Sequence, residues 1–166
     1  ILINHQSMLD IIVMEHLHNR NIAWVAKKEI TDLFFFGHII KAPRMISIDR
    51  ENKAGLIHLL SEAKDRLSKG RPIAMFPEGT RSDGTYIGEF KAGAKMVGNK
   101  FNLKVQPVVM FNTRNIVNSQ KMEASPGVVK VIYLKPVVAS KDTSWYEDCE
   151  KNMKEVFEKE YKNYVS

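Results

Sequence analysis

The feature that most constrains the fold of this chain is an alternation of strand-like and helix-like segments along its 166 residues. Short runs rich in apolar and β-branched residues are typical of strands. The runs are Ile22–Ala26, Arg44–Asp49, Pro72–Phe76, Val105–Met110 and Val128–Val137. Segments with helical periodicity lie between them. This order predicts an α/β fold in a single domain, with a mixed, mostly parallel sheet flanked by helices.

The helical segments carry apolar stripes and end signals. Lys53–Lys69 places its leucines on one face, and Gly70 stands where a helix end favours a left-handed residue. Ala92–Phe101 is a shorter helix candidate. The last segment has an apolar stripe at spacings of three and four, formed by Trp145, Cys149, Met153, Val156, Phe157, Tyr161 and Tyr164. It predicts a long amphipathic helix that packs on its own domain, with membrane binding as the alternative.

The charge of the chain is unevenly distributed. The formal net charge is +6, and the residues from Lys141 onward carry an excess of acidic side chains, so the basic excess lies in residues 1–140. A basic surface attracts phosphate esters, nucleic acid or anionic lipid. The sequence contains no nucleic-acid recognition motif and no basic platform with interleaved aromatics, so nucleic acid is not an expected partner.

The cysteine content of the chain indicates its redox compartment, and its hydropathy shows whether a segment could span a membrane. The single cysteine, Cys149, cannot form an internal disulfide, and we expect a buried structural thiol in a reducing compartment such as the cytosol. The longest apolar run, Leu33–Ile40, is far shorter than the roughly 20 residues of a membrane-spanning helix. The chain opens inside an apolar segment without an initiator methionine, so we expect upstream sequence, in which a membrane anchor could lie.

The first candidate site is the pair His5 and Asp10. On an ideal helix, residues five apart point about 140° away from each other. The two side chains can meet if His5 precedes a helix that Ser7 caps, which puts Asp10 in the first turn. Asp10 would then cap the helix or reach back to the imidazole. A carboxylate on one ring nitrogen makes the other nitrogen a general base; the alternative is a surface histidine beside a capping aspartate.

The second candidate site is the turn Pro77–Ser82, which follows a predicted strand. Its glycine, its hydroxyls, including that of Thr80, and Arg81 can present hydrogen-bond donors to a phosphate, and an arginine binds such a group through two N–H groups at once. Glu78 has two alternatives: it orients Arg81 or accepts hydrogen bonds from backbone amides in the turn.

Two further cations are candidates for the same anion. Arg50 also follows a short strand, and ligands of α/β sheets collect where strands end, so Arg50 and Arg81 are expected to converge. Lys91 precedes the predicted helix Ala92–Phe101, whose N-terminus favours negative charge. Each cation taken alone is also consistent with an ordinary solvated surface charge.

Four segments together resemble sequence blocks of the glycerolipid acyltransferase superfamily, most closely its 1-acylglycerol-3-phosphate acyltransferases. In chain order they are Asn4–Asp10, Met45–Arg50, Phe76–Ser82 and Val105–Val109. The first is similar to an N-H-x-x-x-x-D block, and the third matches F-P-E-G-T-R-S in full. The second departs from the family pattern, because Ala42 and Pro43 stand before it where the family often has a glycine.

The resemblance implies a glycerol-3-phosphate acyltransferase-like fold over residues 1–166, as one catalytic domain. It implies that His5 is the general base, that Asp10 orients it, and that no acyl-enzyme forms. The residues implied to bind the acceptor's phosphate and its surroundings are Arg50, Glu78, Gly79 and Arg81, with Gly79 allowing close backbone approach. Neither a metal nor a cofactor is expected, since the sequence has no cluster of ligands with metal spacing.

The implied reaction transfers a fatty acyl group from acyl-CoA or acyl carrier protein to the free hydroxyl of 1-acylglycerol-3-phosphate, giving phosphatidic acid. The implied setting is an anionic membrane surface on its cytoplasmic face. Leu33–Ile40 would line an acyl-chain groove, dip into the membrane or belong to the core. The alternatives are a glycerol-3-phosphate or other lysophospholipid acyltransferase, a thioesterase or lipase, and a non-catalytic domain that binds anionic lipid.

Overall fold

The computed structural model describes residues 1–27, 45–48, 53–119 and 121–165. The apolar segment Leu33–Ile40 and Arg50 lie outside these residues, so the predictions for them stay predictions. The chain divides into two compact units, one made of Ile1 with His18–Met75 and the other of Leu2–Leu17 with Phe76–Ser166. The expectation of one catalytic domain over residues 1–166 also stays a prediction.

The unit that contains His18–Met75 is built on a parallel three-stranded sheet. Its elements are β2 (Ala23–Lys27), β3 (Ile46–Ile48), α2 (Lys53–Ser68) and β4 (Ile73–Ala74). The central strand, β2, pairs in parallel with β3 and β4. Leu59 and Ala63 of α2 are fully buried, and Gly70 adopts a φ of 69° just beyond the helix, as its position in the sequence predicted.

The second unit combines a mixed sheet with two small ribbons. Its strands are β1 (Leu2–Ile3), β5 (Lys104–Val105), β6 (Pro107–Phe111), β7 (Val117–Asn118), β8 (Glu123–Ala124), β9 (Lys130–Tyr133) and β10 (Val137–Val138). Its helices are α1 (Leu9–Leu17), α3 (Ala92–Phe101), α4 (Thr113–Ile116) and α5 (Trp145–Val165). The buried strand β6 pairs in parallel with β1 and antiparallel with β9. The ribbons β5–β10 and β7–β8 are antiparallel.

The C-terminal helix α5 packs on its own unit. Trp145, Cys149, Met153 and Phe157 are buried, and the Phe157 ring stacks on that of Phe111 in β6 with centroids 4.8 Å apart. Burial raises the pKa of the Cys149 thiol to about 11, in agreement with the prediction of a structural thiol. None of the described helices is both long enough and apolar enough to span a membrane.

Two of the predicted strands are each divided in the structure. The run Val105–Met110 becomes β5 and β6, separated by Gln106, whose side-chain amide donates to the carbonyl oxygens of Pro107 and Leu134. The run Val128–Val137 becomes β9 and β10, which pair with different partners, β6 and β5. The α/β class and the mixed pairing are confirmed.

Candidate active site

The connection between β1 and α1 places His5 at the carboxyl end of a buried strand. Asn4, which precedes His5, is buried, and its side-chain amide pairs with the backbone of β6 as a strand residue would. Its Nδ2 donates to the carbonyl oxygen of Met110 at 3.0 Å, and its Oδ1 accepts from the amide of Met110 at 2.7 Å. These two bonds extend the contact between β1 and β6 and fix where the backbone of His5 begins.

Asp10 is fully buried and accepts hydrogen bonds from the residues just before it. Its Oδ2 lies 2.8 Å from Nδ1 of His5, 2.8 Å from the amide nitrogen of Gln6 and 2.9 Å from that of Ser7. The Ser7 hydroxyl in turn accepts from the amide of Leu9 at 3.3 Å, so Ser7 caps α1. The sequence left capping and contact with the imidazole as alternatives; the carboxylate does both.

The tautomer of His5 follows from these partners. An ionised carboxylate only accepts hydrogen bonds, so the neutral imidazole carries its proton on Nδ1 and presents Nε2 as the acceptor. The ring stacks on Phe76 with centroids 3.7 Å apart and planes 12° from parallel. The imidazole is therefore held on one face and at one nitrogen, while 13% of the side chain remains exposed. Such a ring can take a proton from a substrate hydroxyl.

Glu78 connects the His5 turn to the second candidate site. Its side chain is buried, its Oε1 accepts from the amide of His5 at 2.8 Å, and its Oε2 accepts from the amide of Gly88 at 2.7 Å. The carbonyl oxygen of His5 accepts from the amide of Ser82 at 2.8 Å. Burial raises the pKa of Glu78, and the hydrogen bonds from Gly88 and His5 offset part of that effect. Of the two roles weighed for Glu78, the structure shows hydrogen bonds to backbone amides, and these amides lie outside the turn.

Arg81 lies half-buried at the end of the same turn. Its Nη1 donates to the hydroxyl of Ser119 at 3.0 Å. Gly79 has a φ of 76°, a backbone conformation that favours glycine, and the side chain of Thr80 is exposed. No sequence feature indicated Ser119, because it lies 38 positions from Arg81 and belongs to none of the blocks.

Lys91 lies at the start of α3 in an extended conformation, with φ −92° and ψ 152°. Its amide donates to the carbonyl oxygen of Pro77 at 2.8 Å, and its own carbonyl oxygen accepts from the Tyr146 hydroxyl at 2.7 Å. The backbone of Lys91 is thus tied to the turn that carries Arg81, and its side chain is exposed. Since Arg50 is outside the described residues, its convergence with Arg81 stays a prediction.

Within the described ranges, no group of three or more His, Cys, Asp or Glu side chains is arranged to hold a metal ion. The expectation that the reaction uses no metal and no cofactor stays a prediction.

Comparison with known proteins identifies the family. A family model described as acyltransferase matches residues 1–111. The chain belongs to the acyltransferase family. The matched span contains the His5–Asp10 pair, Glu78 and Arg81, whereas Ser119, the partner of Arg81, lies beyond it. The match ends at Phe111, the last residue of β6.

Individual relatives of this acyltransferase chain carry a more specific description. A Helicobacter pylori protein described as 1-acyl-sn-glycerol-3-phosphate acyltransferase is 42% identical over 166 residues, covering 97% of this chain and 69% of that protein. A Salmonella typhimurium protein with the same description is 33% identical over 138 residues, covering 82% of this chain and 56% of that protein.

A solved structure supports the fold. The crystal structure of the 1-acyl-sn-glycerophosphate (LPA) acyltransferase PlsC from Thermotoga maritima matches with a TM-score of 0.75 and 27% identity. The match covers 99% of this chain and 65% of that one. The chain thus spans just over half to just over two thirds of the length of these three relatives. The predicted acyltransferase fold and family are confirmed.

Proposed function

We propose that this chain transfers a fatty acyl group from an acyl thioester to the free hydroxyl of 1-acylglycerol-3-phosphate, giving phosphatidic acid. The observation that carries the proposal is a set of hydrogen bonds that joins the block Asn4–Asp10 to the block Phe76–Ser82. The backbone of His5 bonds to Glu78 and Ser82, while its ring bonds to Asp10. A general base is thereby held next to a turn with arginine, glycine and hydroxyl groups suited to a phosphate. The descriptions of the relatives agree with this acceptor.

The proposed chemistry begins at Nε2 of His5. This atom removes the proton of the acceptor hydroxyl while the oxygen attacks the thioester carbonyl carbon. The new C–O bond forms a tetrahedral intermediate, which collapses as the C–S bond breaks. The thiolate leaves with the electron pair of that bond, and the proton on the imidazolium passes to it or to solvent. Asp10 stabilises the imidazolium that exists between the two proton transfers.

Binding of the acceptor is assigned to the turn after β4. Arg81 contributes the guanidinium, and the left-handed backbone at Gly79 permits close approach of an oxygen-rich group. Ser119 orients Arg81 through its hydroxyl. Thr80 and Lys91 supply an exposed hydroxyl and an exposed ammonium group, and Arg50 is the further cation that the sequence predicts. Glu78 acts on the acceptor through the placement of the His5 turn, because both its oxygens accept hydrogen bonds from backbone amides.

The donor is a thioester of either coenzyme A or acyl carrier protein. Thioester carbonyls are electrophilic and thiolates are good leaving groups, so orientation and one base suffice for the proposed step. No cofactor has a role in this scheme. The buried Cys149 is a poor candidate for a nucleophile of a hydrolase, because its raised pKa keeps it protonated.

We also propose that the reaction takes place at the cytoplasmic face of a membrane. The acceptor and the product are lipids, and the basic excess of residues 1–140 favours an anionic surface. A single buried thiol is typical of a reducing compartment.

The test of the function is a transfer assay with purified chain in the presence of membrane lipid. A long-chain acyl thioester is offered with 1-acylglycerol-3-phosphate and, in parallel, with glycerol-3-phosphate. We expect turnover with the former, and a loss of at least about a hundredfold in His5→Ala, since general base catalysis contributes about that much or more. The matched control is His16→Ala, which removes an exposed imidazole from α1.

Each alternative outcome has a definite meaning. Preference for glycerol-3-phosphate would move the assignment to the other acceptor within the same chemistry. Thioester hydrolysis at the same rate with and without acceptor would support a thioesterase. Transfer within tenfold of wild type in a folded His5→Ala variant would overturn His5 as the base.

A further inference from the structure

Thr113 is a buried hydroxyl next to the His5–Asp10 pair that lies outside the four sequence blocks. It is the first residue of α4 and is fully buried. Its Oγ1 lies 2.5 Å from Oδ1 of Asp10, the carboxylate oxygen that does not contact His5. Asn112 has a φ of 71° directly after β6, and this left-handed residue turns the chain so that Thr113 meets Asp10.

The direction of this hydrogen bond follows from the partners of the hydroxyl. Oγ1 of Thr113 also lies 3.2 Å from the carboxamide of Gln6, but a hydroxyl has only one proton to donate. The proton goes to Asp10, because that oxygen is nearer and belongs to an anion. Among the described residues the Gln6 Nε2 atom is buried without a partner. With the two ends of the carboxamide exchanged, Gln6 donates to Thr113 and Thr113 donates to Asp10.

We propose that Thr113 is a positioning residue for the general base. The proposal rests on the proposed function, in which His5 takes the proton of the acceptor hydroxyl. In the structure, Oδ2 of Asp10 serves His5 and two backbone amides, while Oδ1 is held by Thr113. The hydroxyl adds a hydrogen bond on Oδ1 to the three on Oδ2, and this fourth bond resists rotation of the carboxylate about its Cβ–Cγ bond and keeps Oδ2 in line with the imidazole.

The loss of this hydroxyl has a predictable consequence. Without it, Oδ1 is left in a buried site with no donor from Thr113, and only the three bonds on Oδ2 oppose rotation of the carboxylate toward another donor. Rotation moves Oδ2 away from Nδ1 and loosens the ring. The proposed phosphate contacts of the acceptor do not involve the hydrogen bonds that Thr113 and His5 donate to Asp10. The loss of the hydroxyl is therefore expected to lower turnover and to leave acceptor binding unchanged.

The experiment compares Thr113→Val with Thr113→Ser. Valine keeps the shape and removes the hydroxyl, whereas serine keeps the hydroxyl and removes a buried methyl group. We expect kcat to fall about ten- to a hundredfold in Thr113→Val with KM for 1-acylglycerol-3-phosphate unchanged, the range set by one lost hydrogen bond to a charged group. Thr113→Ser is expected to stay within about threefold of wild type.

The order of the two variants separates positioning from packing. If Thr113 only filled space, Thr113→Ser would lose more activity and stability than Thr113→Val, and that result would overturn the proposal. Thr143→Val is the matched control, since the exposed Thr143 hydroxyl donates to the carbonyl oxygen of Ser140; we expect wild-type kcat.

A second readout does not depend on turnover. The Nδ1–H proton of His5, assigned in the NMR spectrum by its absence from His5→Gln, should exchange with water faster in Thr113→Val than in Thr113→Ser. Equal exchange in both would refute the positioning role. If wild type transfers no acyl group but the exchange rates differ as expected, the proposed function fails while the positioning of His5 by Thr113 stands.

Discussion

At the scale of single residues, the candidate site depends on which polar atom bonds to which backbone group. The H-x-x-x-x-D spacing left contact between His5 and Asp10 as one of two alternatives, and in the structure Nδ1 of His5 lies 2.8 Å from Oδ2 of Asp10. The same carboxylate oxygen also accepts from the amides of Gln6 and Ser7, so the geometry of the proposed base is built into the N-terminal cap of α1. The spacing alone could not show this sharing, because an amide takes its partner from the folded turn.

Glu78 is the residue whose protonation most directly tests the hydrogen bonds that join the His5 turn to the segment around Gly88. In Glu78→Gln, the carboxamide NH₂ faces the amide of either His5 or Gly88, and two donors cannot bond. We expect a lower free energy of unfolding near neutral pH, by about 1 to 3 kcal/mol for one lost buried bond. Urea unfolding of wild type and Glu78→Gln measures this difference. Equal stabilities would contradict the conclusion that Glu78 accepts hydrogen bonds from both amides.

The pH dependence of that difference has a definite sign. Burial raises the pKa of Glu78 in the folded chain above its ordinary value of 4.5. The contribution of Glu78 is therefore most favourable below the unfolded-state pKa and declines as pH rises through the folded-state pKa. Glutamine does not titrate, so the stability of wild type minus that of Glu78→Gln should shrink over this window. If the difference instead grows with pH, the hydrogen bonds from the two amides lower the pKa of Glu78 by more than burial raises it.

At the scale of elements, the sequence predicted helices better than strands. The predicted bounds Ala92–Phe101 are those of α3, because the helical period and the flanking residues act locally. Strand ends depend on partners: β5 and β6 separate at Gln106, and the two-residue strand β1 exists through its pairing with β6. The ribbon β7–β8 and the short helix α4, which carry Ser119 and Thr113 into the site, had no local signal.

One element contact can be tested directly. A Cβ atom added at Gly98 of α3 would lie 2.7 Å from Cζ2 and 2.9 Å from Cη2 of Trp145 in α5. The indole cannot yield easily, since it is buried and its Nε1 donates to Asn99 at 2.7 Å. Although alanine is the better helix former, we expect Gly98→Ala to destabilise the chain by about 1 to 3 kcal/mol through overpacking.

The matched background for this test is Trp145→Phe. Phenylalanine lacks the atoms that the new methyl group would meet, so the cost of Gly98→Ala should shrink when the two changes are combined. Thermal or urea unfolding of wild type, Gly98→Ala, Trp145→Phe and the double variant gives the coupling free energy between the two positions. Additive effects would show that the helices do not pack through this contact.

At the scale of the whole molecule, the distribution of charge bears on the proposed lipid substrates. The net charge is +6 although the C-terminal helix is acidic. Glu147 and Glu160 of α5 form ion pairs with Lys95 and Lys130, which lie outside the helix, whereas Glu150 pairs with Lys154 of α5 itself. The acidic helix therefore neutralises only part of the basic surface, and the remainder favours anionic lipid.

We expect the chain to bind vesicles that contain anionic lipid more tightly than vesicles of phosphatidylcholine alone. Raising the salt from about 0.1 M to about 0.5 M should weaken the binding, since screening shortens the reach of surface charges. Sedimentation with sucrose-loaded vesicles measures both effects, and His5→Gln should bind as wild type does because it retains the lysines and arginines. Binding that ignores both lipid charge and salt would instead place the contact on exposed apolar side chains such as Met122 and Val128, which are 90% and 74% exposed. In that case the basic surface would serve the phosphorylated substrate and not the bilayer.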